Sequence, residues 1–147
     1  MSRPCRAVTQ PRQRAFVFGC EALSKTVRGD SEMAALVKAA PRRDVPIVTS
    51  ALTTLEAWDP RERWSQALWS WTLSRIRIVH TDDQLITTAR VLLKTAGLHG
   101  HKYAIDAVLA AVAAREAAAG TQVTVLTSDT DDMTQLLTDH PVHIQKV

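Results

Sequence analysis

Residues 104–132 read AIDAVLAAVAAREAAAGTQVTVLTSDTDD, and this stretch decides the fold. Ala104 to Ala119 is rich in strong helix formers and stops at Gly120, the residue type favoured just past a helix end. Val123-Thr-Val-Leu126 then forms a short β-branched run, the signature of a buried strand, and it leads directly into an acidic turn containing Asp129, Asp131 and Asp132. A helix returning to a strand without a hairpin signal is half of a parallel crossover unit.

The same alternation extends toward both ends of the chain. Ala15-Phe-Val-Phe18 predicts a strand entering a sharp turn at Gly19. Asp30 is placed to cap a helix with Met33, Leu36, Val37 and Ala40 on its inner face, and Pro41 lies just beyond the expected end. Pro46-Ile-Val-Thr49 predicts the second strand. A helix opened by Ser50 or Thr53 follows, ending at Asp59-Pro60, and a further helix is expected from about Arg61 to Ser74. Ile76-Arg-Ile-Val79 predicts strand three. Thr81 or Asp82 caps the next helix, which Gly97 stops, and His143 to Val147 is the candidate fifth strand. Strands and helices in alternation imply an α/β domain with a mainly parallel sheet covered on both faces.

At 147 residues and 46% hydrophobic, the chain suits one domain with one sizeable core. No apolar run approaches the ~20 residues needed to span a bilayer, so the expectation is a cytoplasmic protein without a membrane partner. Cys5 and Cys20 have no metal-site spacing and are too few for a disulfide framework. Residues 1–14 carry Arg3, Arg6, Arg12 and Arg14 and no acid, which accounts for the net charge of +3 and leaves residues 15–147 near neutral. The first 14 residues, without apolar periodicity, are expected to form a flexible basic arm, with the domain spanning 15–147.

Asp106 is the sharpest chemical signal. It is the only polar or charged residue from Ala104 to Ala114, in a helix apolar on every side, where an unpaired carboxylate pays for desolvation or protonates. An acid near the helix start also meets the positive end of the helix dipole, so a structural role is open too. Glu56 has two readings. Thr53-Thr-Leu-Glu56 matches a capping box, whereas a cap at Ser50 leaves Glu56 deeper in the helix and free for chemistry. For Asp129, Asp131 and Asp132 the alternative is a solvated turn capping the last short helix. Parallel sheets carry their sites beyond the carboxyl ends of the strands, and these acids are placed to meet at such an edge.

His99 and His101 lack a third nitrogen or sulfur ligand, which argues against a zinc site. Lys102 is placed to hold phosphate or simply to flank the helix. Neither a phosphate-binding glycine loop nor a nucleophile elbow occurs. Trp58, Trp64, Trp69 and Trp71 crowd one region; Trp64, Leu68 and Trp71 share a helical stripe suited to packing, while Trp69 falls off it, which favours some exposed aromatic area for a partner.

Taken together, these segments resemble the PIN-domain nucleases, in particular the VapC-like toxins of bacterial toxin–antitoxin pairs. The resemblance runs from about residue 15 and is carried by Phe16 to Ser24, Thr49 to Glu56, Gly100 to Ala107 and, most tellingly with the last of these, Val125 to Asp129. It implies a three-layer α/β/α domain and a metal-dependent ribonuclease with Mg²⁺ or Mn²⁺ as cofactor. Glu56, Asp106 and Asp129 are then the catalytic, metal-holding acids, with Asp132 or Asp131 as an additional outer member. It also implies an RNA substrate, an antitoxin partner and a homodimer. One departure stands out: the family carries an aspartate at the turn after strand one, where this chain has Gly19. The acidic quartet is incomplete, Glu21 is the nearest acid to the gap, and the alternative reading is a degenerate domain that binds RNA or protein without cutting.

Overall fold

A computed structural model describes residues 12–61 and 66–147. Twelve elements alternate along the chain: β1 (Arg14–Phe18), α1 (Cys20–Val27), α2 (Ser31–Arg42), β2 (Ile47–Ser50), α3 (Ala51–Ala57), α4 (Gln66–Ser74), β3 (Arg77–Val79), α5 (Asp83–Ala96), α6 (Gly100–Ala118), β4 (Gln122–Thr127), α7 (Thr130–Leu136) and β5 (Val142–Lys146). The strands form one sheet in the order β3-β2-β1-β4-β5, and every pairing is parallel. The expected α/β architecture with a parallel sheet is therefore the observed one. Of the proposed basic arm, residues 1–11 lie outside the described residues, and β1 already begins at Arg14.

Strand side chains alternate between two cores. Val17, Val48, Val123 and Val125 pack with α5, α6 and α7 on one face. Phe18, Ile47 and Leu126 pack on the other with Leu23 of α1, and with Met33 and Val37 of α2. Helix α6 explains why the sheet is so firmly covered on the first face. Ala107 to Ala114 are buried without interruption, as expected of a helix apolar all round, and its alanines let it lie close to both the sheet and α5. Asp82, which caps α5 by accepting from the Leu85 N–H at 2.8 Å, also accepts from Arg115 at 3.0 Å, joining the start of α5 to the last turns of α6.

Several boundaries differ from expectation for identifiable reasons. Pro41 lies inside the last turn of α2, where it forgoes one bond to the preceding turn and the helix ends one residue later. The polar segment from Gly100 to Lys102 is helical too: His99 caps α6, its Nδ1 accepting from the His101 N–H at 3.0 Å, and the helix bends at Tyr103 (φ −114°, ψ 15°) before the alanine-rich part begins. Helix α1 was not anticipated, because its sequence CEALSKTV carries only a short apolar pattern. Tertiary packing of Ala22, Leu23 and Val27 against the sheet supplies what local pattern lacks. Trp69, expected to be exposed, packs with Trp71 against the second core and makes an edge-on contact with Trp58 at 5.2 Å; Trp58 is the exposed one. Trp64 lies outside the described residues.

Leu85 is 1% exposed at the start of α5, within the α6 core. Leu85→Ala should destabilise the fold by about 2–5 kcal/mol, the range for emptying a buried leucine site, read as a lowered urea midpoint with an unchanged slope.

Candidate active site

Because all strands are parallel, the segments following β1, β2 and β4 leave the sheet at the same edge. Backbone and side-chain hydrogen bonds draw that edge tight. The Gly19 N–H donates to the Leu126 carbonyl at 2.9 Å, and the Thr49 hydroxyl donates to the Phe18 carbonyl at 2.7 Å. The Asp129 N–H donates to the Thr127 hydroxyl at 3.0 Å, which turns the chain out of β4.

Both alternatives left open at Glu56 and Asp129 are decided by local geometry. Ser50 is the N-cap of α3, its hydroxyl accepting from the Leu52 N–H at 3.2 Å. The Thr53 hydroxyl, buried in the helix, makes no hydrogen bond, so no capping box forms and Glu56 stands exposed in the last turn of α3. Asp129 occupies the N-cap position of α7, yet its carboxylate accepts no capping bond. The carboxylate is thus left for other interactions.

Asp106 shows which acids meet. It lies half-buried in the first turn after the Tyr103 bend, and its carboxyl is pushed up from 3.8 to about 6, first by burial and then by the negative charges of Glu56, Asp129 and Asp132. Four carboxylates from α3, α6 and the β4–α7 segment therefore share one neighbourhood. Every influence on Asp106 raises its pKa, so no cation among the described residues compensates it. Asp131, the alternative outer member, is exposed and has no such influence. Glu21 accepts from Arg28 at 3.0 Å along the flank of α1, which engages it away from the gap at Gly19.

Cys20 was missed as a site residue. Its thiol is pushed up to about 11, chiefly by burial and then by the charge of, and a hydrogen bond with, Glu56. The sequence offered one clue only, its position directly after Gly19. His99, by contrast, is occupied as a cap, and Lys102 lies 5.2 Å from the Tyr103 ring, so neither is drawn into the acidic group.

The four acids offer oxygen atoms only, a chemistry that suits Mg²⁺ or Mn²⁺ better than a soft metal. The geometry is less complete: among the described residues no three His, Cys, Asp or Glu side chains converge as metal ligands. Gly19 follows β1 at the same edge. Its backbone is extended (φ −80°, ψ −179°), which any residue adopts, but a Cβ there would lie 3.1 Å from the Leu126 carbonyl oxygen and 3.5 Å from the Thr127 side chain. A side chain at 19 needs the β4 end to yield by a few tenths of an ångström.

No protein-family model and no curated protein matches the chain. Among solved structures it is similar to a chain in the crystal structure of VapBC2 from Rickettsia felis bound to a DNA fragment from their promoter. The two superpose with a TM-score of 0.62 over 90% of this chain and 98% of that one, at 14% sequence identity. At that identity the likeness establishes a shared fold.

The raised Asp106 has a testable consequence for stability. The folded state holds the proton more tightly than an unfolded chain with the ordinary value of 3.8, so the stabilisation it brings is complete below about pH 3.8 and is lost as pH rises through about 6. Asp106→Asn should therefore be more stable than the wild type in EDTA at pH 8, with the advantage fading toward pH 4. Urea denaturation at both pH values checks this, and an equal difference at the two would contradict it.

Proposed function

We propose that the chain is a metal-dependent ribonuclease of the PIN-domain, VapC-like type, with Glu56, Asp106 and Asp129 as the principal acids and Asp132 as an outer member. The observation that supports this reading is the influence of Glu56, Asp129 and Asp132 on Asp106 at the carboxyl edge of a parallel sheet, with no cation among the described residues offsetting it. Structural proteins rarely tolerate such a cluster, because like charges brought together in a half-buried site each raise the cost of the others.

Bound Mg²⁺ or Mn²⁺ would supply a more acidic water and charge neutralisation at the phosphoryl oxygens. The protein's own part is positional. Ser50 fixes the start of α3 and hence the height of Glu56 above the sheet. The Thr127 hydroxyl sets the turn that carries Asp129. The Tyr103 bend presents Asp106 from the side of α6, and apolar neighbours keep its surroundings partly dry. Cys20 is half-buried beside Glu56 and keeps its thiol proton at neutral pH, so it adds no further negative charge there.

Gly19 favours a second reading, a degenerate domain that binds RNA or protein without turnover. Either reading includes an antitoxin as partner and a homodimer as assembly; Leu55, 70% exposed, and Trp58, 43% exposed, flank Glu56 on α3 and offer an apolar approach to the acidic edge.

Cleavage of a labelled RNA in Mg²⁺ or Mn²⁺ separates the two. The wild type should cut weakly and Gly19→Asp should cut on the order of 100-fold faster, since a restored ligand repositions the attacking water. Adding Asp129→Asn to that variant should abolish the gain. If Gly19→Asp stays inert with both metals while folding normally, the nuclease reading fails and the binding module stands.

A further inference from the structure

The opposite edge of the sheet carries a different chemistry. In the strand register Phe16 of β1, Thr124 of β4 and His143 of β5 lie side by side in one row, and Arg14 pairs with Gln122 in the row behind. By strand alternation all five project to the face that includes Phe18 and Leu126. Helices α1 and α2 cover the part of this face nearer β2. Toward β5 and the amino ends of the strands it is open: Arg14, Gln122 and His143 are exposed, and Phe16 and Thr124 are half-buried.

Two adjoining cavities meet at the amino end of this strip, one on the open face and one reaching round to the α6 side at Ala117, Val123 and Val142. One, of about 300 Å³, is bounded by Arg14, Phe16, Gln122, Thr124 and His143. The other, of about 510 Å³, shares Gln122 and His143 and adds Arg12, Thr121 and His140. Among the described residues lining the two there is no aspartate or glutamate. A third cavity further along the face, about 450 Å³, has Lys25 and Lys146 set against Asp30 and Glu32, so of the three only the two at the amino ends of β1, β4 and β5 have basic lining residues without acidic ones among the described residues. In sequence, Arg12 is preceded by Arg3 and Arg6.

We propose that this open strip binds single-stranded RNA, with Arg12 and Arg14 facing phosphates and with Phe16 and His143 as stacking surfaces for bases. Cations without acids call for a polyanion, and each neutralised phosphate adds binding that weakens with salt. Rings on a sheet surface select a nucleic acid over an acidic peptide, because unpaired bases have flat faces to stack. Phe16 and His143 are two strands apart, roughly 10 Å, which leaves room for separate bases while Gln122 and Thr124 offer hydrogen bonds to their edges. A duplex would hide those faces. The strip lies about 17 Å, one strand length, from the acidic edge, so RNA held here is kept clear of charges that repel it. The inference takes its substrate class from the nuclease reading but does not depend on cleavage.

Fluorescence anisotropy of the full-length protein with a 5′-labelled, mixed-sequence RNA of about 12 nucleotides, in EDTA, tests the strip with hydrolysis switched off. Combined Arg14→Gln and His143→Ala should weaken binding at least ~10-fold and lower the salt slope by about 1. His143→Phe, which keeps a stacking ring, should remain within roughly threefold of the wild type. Arg90→Gln, an exposed charge on α5, controls for general charge loss and should bind as the wild type does. Circular dichroism confirms that each variant folds. Unchanged RNA affinity in the double variant, or displacement of RNA by polyglutamate as readily as by poly(U), would overturn the proposal. Because the assay contains no metal, absence of cleavage elsewhere leaves its result intact.

Discussion

The close parallel contact between the carboxyl ends of β1 and β4 is the constraint on which the rest depends. The Gly19 N–H reaches the Leu126 carbonyl at 2.9 Å, and a Cβ at 19 would meet that oxygen at 3.1 Å. With β2 joined to the same edge through Thr49, the chain must leave three adjacent strands within a narrow space. The turns and short helices that begin there, α1, α3 and α7, inherit their positions from it. Helix α6, laid across the first face, then brings Asp106 to the same place from the side.

Two groupings of side chains stand at opposite ends of the strands. Carboxylates gather at one end, where burial and like charge push Asp106 up to about 6. Arg12, Arg14, His140 and His143 gather at the other, around cavities with no acid among their described lining residues. A parallel sheet makes such polarity natural, since all strand ends of one kind share one edge. The unfavourable gathering of acids is tolerated because the buried run from Ala107 to Ala114 and the valines of the sheet stabilise the frame around it.

Much of this was legible in the residues themselves. Alternating apolar runs and helix formers predicted the parallel α/β domain, and Asp106 stood out because an acid in an apolar helix has few benign explanations. Asp30, and Asp82 as one of two candidates with Thr81, were recognisable as caps because capping is a local bond to the next turn, and the bonds of Asp30 and Asp82 are present. Helix α1 was not legible, since its stability comes from the sheet it lies on and not from its own pattern. Trp69 misled for a related reason: a helical stripe shows which residues share a side, and neighbours such as Trp58 decide which side is covered.

By itself, then, the sequence determined every strand, most of the helices, the parallel arrangement and the identity of the unusual acids, because period, capping and the cost of a lone carboxylate are properties of short segments. Only the tertiary structure decided that Asp132 and not Asp131 acts on Asp106, and that Cys20 lies beside Glu56. It also revealed the basic strip, whose members come from β1, β4 and β5 and are joined only by strand register. Such relations depend on which distant segments share an edge, and that is set by long-range packing that no local pattern encodes.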